Sequence, residues 1–521
     1  MKKPMKTTSV RLDDILNWLR GLAPASAAAA DLTSDSRAVK PGDVFVAYPG
    51  DHADGRNYIA QALQKGACAV VYEADGFDWD VSWDATHKVP HLAVAGLKQA
   101  AGPIANAYYQ KPDAGMQIVA VTGTNGKTSC SQWLGHALSH LGEMTGVVGT
   151  LGVGVFAKGQ RGAFRETGYT TPDAVLLQRT LAEMRDAGVG ALAIEASSIG
   201  LEQGRLNGMH VDIALFTNFT RDHLDYHGDM AHYEAAKQML FDWPGLQHAV
   251  INLDDEMGLR LARHLQQKTQ AIPVIGYALT EVEAAAGIPV LRASAIKTNA
   301  GGTVFHVEST FGSGQIKTRL VGQFNVSNVL GILGVLLAKG VVWAAAVHAI
   351  ELLTAVPGRM QQFGGQDAPL IVIDYAHTPD ALEKTLHTLR QVAQQRHGEL
   401  WCVFGCGGDR DPGKRPQMGA VAELADHVIV TSDNPRSEEP GAIIAQILHG
   451  MQSPAAALTL EDRAGAILWA VRHAAKADVV LLAGKGHETY QEIKGKKLPF
   501  LDADHTALAL AARATMKGGH V

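Results

Sequence analysis

Ile118-Val119-Ala120-Val121-Thr122-Gly123-Thr124-Asn125-Gly126-Lys127-Thr128-Ser129 is the stretch on which the reading of this chain turns. A β-branched run feeds a glycine-rich turn, and Gly126-Lys127-Thr128 opens a helical pattern carried by Trp133, Leu134, Ala137, Leu138 and Leu141. Strand, loop and helix in this order predict a phosphate-binding P-loop. Backbone N–H groups converge on a triphosphate, and the helix N-terminus adds partial positive charge. Lys127 reaches the β/γ-phosphates and the Thr128 hydroxyl is placed to ligate Mg²⁺. The usual spacing asks for glycine where Val121 stands, and this chain offers Gly123 instead. ATP is the expected guest, with kinase, motor and ligase chemistry all open.

Outward from the loop, strands and helices alternate. Ala191-Leu192-Ala193-Ile194 ends in Glu195, and Ile213-Ala214-Leu215-Phe216 ends near Asn218 and His223. Such alternation predicts a mainly parallel sheet with helices on both faces, and ligands beyond the carboxyl ends of its strands. Glu195 and His223 fall where a metal near the phosphates could use them. Past Val356-Pro357-Gly358-Arg359, four strand-like runs each deliver polar residues at the carboxyl end. The deliveries are Asp374-Tyr375-Ala376-His377-Thr378-Pro379, Gly405-Cys406-Gly407-Gly408-Asp409-Arg410-Asp411, Asp433-Asn434-Pro435-Arg436 and Gly484-Lys485-Gly486-His487-Glu488. Four in succession predict a ligand-binding rim. Before the central section, a helix over Leu12 to Leu22 and strands at Val44–Ala47 and Ala69–Tyr72 predict a small α/β domain. Its turns, Leu32 to Arg37 and Gly50 to Arg56, read as ordinary polar turns on pattern alone.

With 521 residues, two to four domains are expected. A formal net charge of −6 and 46% hydrophobic residues suit a soluble globular protein and give no reason to expect nucleic-acid or membrane binding. Cys68, Cys130, Cys402 and Cys406 are scattered without a zinc-site pattern, which predicts reduced thiols and a cytoplasmic setting. Lys2, Lys3, Lys6 and the Ala25–Ala30 run do not make a signal peptide, because Asp13, Asp14 and Arg20 interrupt any apolar region. Val329 to Ala338 is far short of the ~20 apolar residues that span a bilayer.

The P-loop variant Thr122-Gly123-Thr124-Asn125-Gly126-Lys127-Thr128 resembles that of the Mur ligases and folylpolyglutamate synthetases, which accounts for the displaced glycine. Further matches follow in the family's order: Glu195-Ala196-Ser197-Ser198, Asn218 to Gly228, Phe324-Asn325-Val326-Ser327-Asn328, Gly358-Arg359-Met360 and Asp374 to Pro379. The resemblance implies three α/β domains. These are a small N-terminal domain for a UDP-substrate (1–95), a central P-loop ATPase-like domain with a mainly parallel sheet (96–355) and a C-terminal Rossmann-like domain for an amino acid (356–521). Asp433-Asn434-Pro435-Arg436 resembles the signature of the family's meso-diaminopimelate-adding branch. Arginine suits that choice, since diaminopimelate differs from lysine by a distal carboxylate that a planar, two-pronged donor can hold.

The resemblance also implies roles. Gly123, Thr124, Asn125, Gly126, Lys127, Thr128 and Ser129 take the triphosphate, and Asn325, Arg359 and Asp374 hold the rest of ATP. Thr128, Glu195 and His223 ligate Mg²⁺. Ser34, Ser36, Asp51, His52 and Ala53 meet the uridine diphosphate end of a UDP-muramoyl dipeptide; Thr170, Thr171, Ser197, Gln203, Arg205 and Lys237 position its sugar and peptide. Arg410, Asp433, Asn434, Pro435, Arg436, Gly484 and Glu488 enclose diaminopimelate, with Glu488 suited to its ammonium. Catalysis falls to Lys127, Glu195, His223 and Lys237. By spacing alone Lys237 pairs with Glu234 on a helix surface; by resemblance it reacts with CO₂ to a carbamate that binds Mg²⁺. The implied product is an amide made through an acyl phosphate, by a monomer whose partners are small molecules. Ile199, Tyr169 and Ser129 depart from the family's usual histidine, asparagine and threonine, and the first two bear on acceptor contacts.

Overall fold

The computed structural model describes residues 11–22, 31–51, 53–282 and 287–518. Lys2, Lys3, Lys6, the Ala25–Ala30 run and His52 lie outside them. The chain forms two compact units, each assembled from separated stretches: residues 1–122, 138–214 and 235–248 in the first, and 123–137, 215–234 and 249–521 in the second.

The first unit opens with a parallel sheet in the order Leu32–Thr33, Val44–Ala47, Ala69–Glu73, His91–Val94. The two inner strands are buried along their whole length, as parallel strands covered on both faces must be. Ile15 and Leu19 of helix Leu12–Arg20 join Leu97, Ala101 and Ile104 of helix Leu97–Tyr108 in one core. That second helix is capped by Glu73, whose carboxylate accepts the N–H groups of Gly96 and Leu97 at 3.1 and 2.7 Å.

The same unit carries strand Gln117–Thr122, which leads into the glycine loop. It pairs in parallel with Ala191–Glu195, which pairs in parallel with Thr145–Gly149. Two antiparallel strands, Gly152–Ala157 and Gln160–Arg165, extend this run. Where Gln117–Thr122 begins, the Asp212 carboxylate accepts the Ile118 N–H at 2.7 Å. His210 lies between Asp113 (2.8 Å) and Asp212 (3.3 Å), and hydrogen bonds to these carboxylates raise its pKa to about 10. Imidazolium and two carboxylates thus tie down the end of the strand opposite the glycine loop.

In the second unit Val274–Ala278 pairs in parallel with His248–Asn252 and with Val290–Asn299, and antiparallel strands Gly302–Ser309 and Gly312–Thr318 follow. The apolar segment Val329 to Ala338 lies in helix Gln323–Ala338, buried from Val329 to Leu337. Among the described residues no helix is long and apolar enough to cross a membrane. The last sheet runs Gln361–Gly364, Leu370–Asp374, Val479–Ala483, Leu400–Phe404, His427–Val430, Leu458–Thr459, all parallel except the first. From Leu370–Asp374 the chain skips a place to Leu400–Phe404, and Val479–Ala483 fills the gap last. That order brings the four polar deliveries to one edge of the sheet.

Candidate active site

The glycine loop is braced by residues 217–220. Thr124 donates its N–H to the Asn218 carbonyl at 2.8 Å, and Asn125 donates its N–H to Asn218 Oδ1 at 2.9 Å. Thr217 Oγ1 donates to the Asn125 carbonyl at 2.6 Å. A side chain at Gly123 would put its Cβ 1.9 Å from Thr217 Oγ1, so the shifted glycine is the residue that lets this brace approach. A Cβ at Gly126 would lie 2.6 Å from Asn328 Oδ1, which makes Asn328 the loop's neighbour from helix Gln323–Ala338. Asn325, the residue expected to touch ATP, donates Nδ2 to the Val321 carbonyl at 2.8 Å. Lys127 Nζ donates to the carbonyls of Gly123 and Thr124, both at 2.8 Å, so its ammonium arcs over its own loop. Thr128 and Ser129 are buried in the first turn of helix Lys127–His140.

Glu195 ends its strand fully buried. It accepts the Thr150 N–H at 2.9 Å and the Thr150 hydroxyl at 3.0 Å, one on each carboxylate oxygen. Thr150 then shares a hydrogen bond with Thr170 at 3.1 Å. Thr171 donates its hydroxyl to the Glu195 carbonyl at 2.7 Å and lies 2.9 Å from Ser197 Oγ, which caps the short helix Ser198–Glu202. Arg205 donates to the Thr171 carbonyl at 2.7 Å and to Gln203 Oε1 at 2.8 Å, and its guanidinium lies 5.3 Å from the centre of the Tyr169 ring. Gln203 donates to Asp51, which also pairs with Lys98 at 2.6 Å. Ser34 donates to Asp173 at 2.7 Å and Ser36 to Gln61 at 2.8 Å; Ala53 accepts the Gly50 N–H. Of the residues expected on the acceptor side, Asp51, Thr170, Thr171, Ser197, Gln203 and Arg205 thus join one polar chain with Glu195. Ser34 and Ser36 belong to separate hydrogen-bonded pairs, and His52 lies outside the described residues.

Asp374 accepts the Met360 N–H at 2.8 Å and the Ala376 N–H at 2.9 Å, so it fastens the Arg359-Met360 turn to its own strand. Burial pushes its carboxyl up, and Arg359 and those N–H groups offset part of the rise. Arg359 lies 4.3 Å from the centre of the Tyr375 ring and hydrogen bonds to His487 at 3.3 Å. Asp222 lies 3.4 Å from His223 and 3.7 Å from His377. Burial would raise its carboxyl, but the His377 hydrogen bond and the charges of His223 and Lys414 hold it well below the usual range. His223 itself has φ 53°, in the left-handed region that a side chain disfavours.

On the rim, Arg436 also has a left-handed backbone, with φ 52°. Its Nη1 donates to the Gly408 carbonyl at 2.7 Å and its Nε lies 3.5 Å from Glu492. Arg410 is exposed and lines a cavity of about 290 Å³ with Leu224, Asp225, Asp409, Asp411 and Pro412. Asp433 accepts the Asn434 N–H at 2.7 Å. Beneath the rim, Arg415 makes a paired contact with Glu438, both at 2.8 Å, and Arg463 is fully buried against Asp502 at 2.7 Å. Fully buried charges persist only when paired in this way.

One expectation changes with the coordinates and another gains detail. Oε2 of Glu488 accepts Lys485 at 2.9 Å and Asn434 at 2.7 Å. The surface pair at Lys237 fails, because Lys237 is fully buried in helix Met230–Gln238 while the Glu234 carboxylate holds Arg260 at 2.7 and 2.8 Å. Thr150, Asn328 and Lys485 were not assigned roles from sequence. Lys485 carried a signal in its place within the fourth polar delivery and Asn328 in the Phe324-to-Asn328 match, whereas Thr150 carried none.

A glycine-rich loop between strand and helix, with a parallel sheet delivering a charged rim, defines a protein of the P-loop α/β class. The description "Mur ligase middle domain" matches residues 121–336, "Mur ligase, glutamate ligase domain" matches 358–486, and "Mur ligase family, catalytic domain" matches 30–109. UDP-N-acetylmuramoyl-L-alanyl-D-glutamate--2,6-diaminopimelate ligase from Janthinobacterium sp. (strain Marseille) is 66% identical over 507 residues, covering 97% of this chain and 98% of its own length. A solved structure of a ligase with the same name is 35% identical, with a TM-score of 0.64, covering 95% of this chain and 99% of its own. MurF ligase from Thermotoga maritima, solved in complex with ADP, shares the fold at 17% identity and a TM-score of 0.63, covering 94% of this chain and 98% of its own. The chain belongs to the Mur ligase family and has its three-domain α/β fold.

Proposed function

We propose that this protein is an ATP-dependent, ADP-forming ligase that adds meso-diaminopimelate to UDP-N-acetylmuramoyl-L-alanyl-D-glutamate, in cytoplasmic peptidoglycan precursor synthesis. The single observation that carries the reading is Arg436, held on the rim beside Asp433 and Asn434, in a chain 66% identical to a relative of that name. The three segments 1–95, 96–355 and 356–521 would serve acceptor, nucleotide and amino acid.

A carboxylate and an ammonium do not condense in water, because the carboxylate repels nucleophiles and oxide is a poor leaving group. In the proposed reaction the D-glutamyl γ-carboxylate attacks the γ-phosphate of ATP, releasing ADP and leaving an acyl phosphate. Gly123 to Ser129 would cradle the triphosphate, with Lys127 drawing charge from it as the bond forms. Asn325, Arg359 and Asp374 would seat the rest of the nucleotide. Ser34, Ser36, Asp51 to Ala53, Thr170, Thr171, Ser197, Gln203 and Arg205 would align the acceptor. The amine of diaminopimelate, held by Arg410, Asp433 to Arg436, Gly484 and Glu488, then attacks the acyl carbon and phosphate leaves.

Thr128 and Glu195 are hard oxygen donors of the kind Mg²⁺ takes, and Glu195 is fixed by Thr150, so these residues fit the ion. With His223 they would hold it, and the bound ion would neutralise charge on the phosphate oxygens. Lys237, buried in its helix, would serve as a carbamate. The test is incubation with ATP, the UDP-muramoyl dipeptide and meso-diaminopimelate. Tripeptide and phosphate in equal amounts are expected, and phosphate release without tripeptide from any amine offered overturns the reading.

A further inference from the structure

Lys485 is a fully buried lysine between two residues of the rim, Gly484 and Glu488, and it carries no role in the reaction above. Its ammonium has three donors. One goes to Glu488 Oε2 (2.9 Å), one to Asn434 Oδ1 (3.1 Å) and one to the Tyr490 carbonyl (2.7 Å). No donor is left over for a substrate, so whatever Lys485 does, it does through these partners.

Those partners are then fixed in a particular way. Asn434 Oδ1 accepts from Lys485 and from the Glu492 N–H at 2.9 Å, so its Nδ2 must face the other way, where it donates to Glu488 Oε2 at 2.7 Å. Two donors therefore converge on a single carboxylate oxygen of Glu488. Its Oε1 takes no hydrogen bond among the described residues, and the side chain keeps about a sixth of its surface open, at 18% exposure. The Glu492 N–H that meets Asn434 belongs to the residue whose carbonyl accepts the Arg436 N–H at 3.0 Å. One ammonium thus sets the aim of Glu488 Oε1 and, through Asn434 and Glu492, the seat of Arg436.

We propose that Lys485 is a positioning residue for the incoming diamino acid: by occupying Glu488 Oε2 and orienting the Asn434 amide, it presents Glu488 Oε1 as the acceptor for the substrate's ammonium. This rests on the diaminopimelate reading of the rim. The Lys485–Glu488 pair is neutral as a unit, so the attraction felt by the arriving ammonium is directional rather than a diffuse negative field. A chain without Lys485 would keep the carboxylate but lose its aim.

The experiment measures KM for each of the three substrates, and kcat, in Lys485→Met, Glu488→Gln and the double variant, with calorimetric binding of diaminopimelate to the unaltered protein as the reference. Lys485→Met is expected to raise the diaminopimelate KM about 10- to 100-fold, as when a buried charged hydrogen-bond partner is removed. KM for ATP and for the UDP-muramoyl dipeptide should stay within about twofold. The double variant, in which both buried charges are gone, should be no worse than Glu488→Gln alone by more than about threefold, since partners acting as one unit are non-additive. An unchanged diaminopimelate KM in Lys485→Met, multiplicative losses in the double variant, or an equal rise in all three KM values would each overturn the proposal while the ligase reading stands. No diaminopimelate binding to the unaltered protein would instead remove the reading beneath it, and the proposal with it.

Discussion

The two regions proposed to hold the acceptor and the amine are built from different chemistry. From Asp51 through Gln203, Arg205 and Thr171 to Glu195 and Thr150, the first unit strings hydroxyls, amides and backbone carbonyls together, much of it half-exposed. The rim of the second unit rests instead on buried cations, each paired with a carboxylate: Arg415 with Glu438, Arg463 with Asp502, Lys485 with Glu488. A large acceptor offers many polar groups, and many modest contacts suffice to seat it. A small diamino acid offers two carboxylates and two ammonium groups, and only charges held rigid in low dielectric can tell it from lysine.

That contrast can be broken in several places. The largest loss is expected at the loop serving both sides: Lys127→Ala should lower kcat by about two to three orders of magnitude, as when one donor to a developing anion is removed, with phosphate release as the measure. Next, Arg436→Ala leaves the distal carboxylate unpaired and should cost about 2–5 kcal/mol, raising the diaminopimelate KM tens to thousands of fold with ATP unaffected. On the acceptor side, Thr171→Val removes neutral hydrogen bonds worth about 1 kcal/mol, so the dipeptide KM should rise only ~5-fold. A loss there as large as at Arg436 would erase the distinction between the two regions.

The smallest effect is on stability. The folded pKa of His210, near 10, lies above its unfolded value, so its contribution is fully present below about pH 6.5 and is lost as pH rises to about 10. The ring is 38% exposed, so screening reduces the gain to the order of 1 kcal/mol. Denaturant melts of the unaltered protein and His210→Asn should differ most at pH 6 and converge near pH 10. A gap that widens with pH would contradict the charged bridge.

Parallel strands were the most legible part of the chain. Val44–Ala47, Ile213–Phe216 and Leu400–Phe404 stand where their β-branched runs placed them, because burial on both faces leaves a continuous apolar signal. The antiparallel strands Gly152–Ala157, Gln160–Arg165, Gly302–Ser309 and Gly312–Thr318 were not foreseen: glycines and exposed polar positions interrupt their pattern. Helix Leu12–Arg20 stops two residues before the expected Leu22. In the site, residue types suggested which chemistry to expect but not which groups already hold one another. Lysine reads as surface, so nothing local to Gly484-Lys485-Gly486 announces that Lys485 is buried. The Glu234-to-Lys237 spacing suggested a pair that Arg260, distant in sequence, takes over. Thr150 is one hydroxyl in a Gly-Thr-Leu-Gly turn, and its meaning comes only from the strand that sets Glu195 beside it.

His223 and Arg436, at φ 53° and 52°, each hold a conformation that costs a side-chain-bearing residue about 1–3 kcal/mol. Anyone breeding this protein for heat tolerance alone would find those positions early, since glycine relaxes both. On the roles proposed for His223 and Arg436, the hardier descendants would keep their shape and surrender their trade.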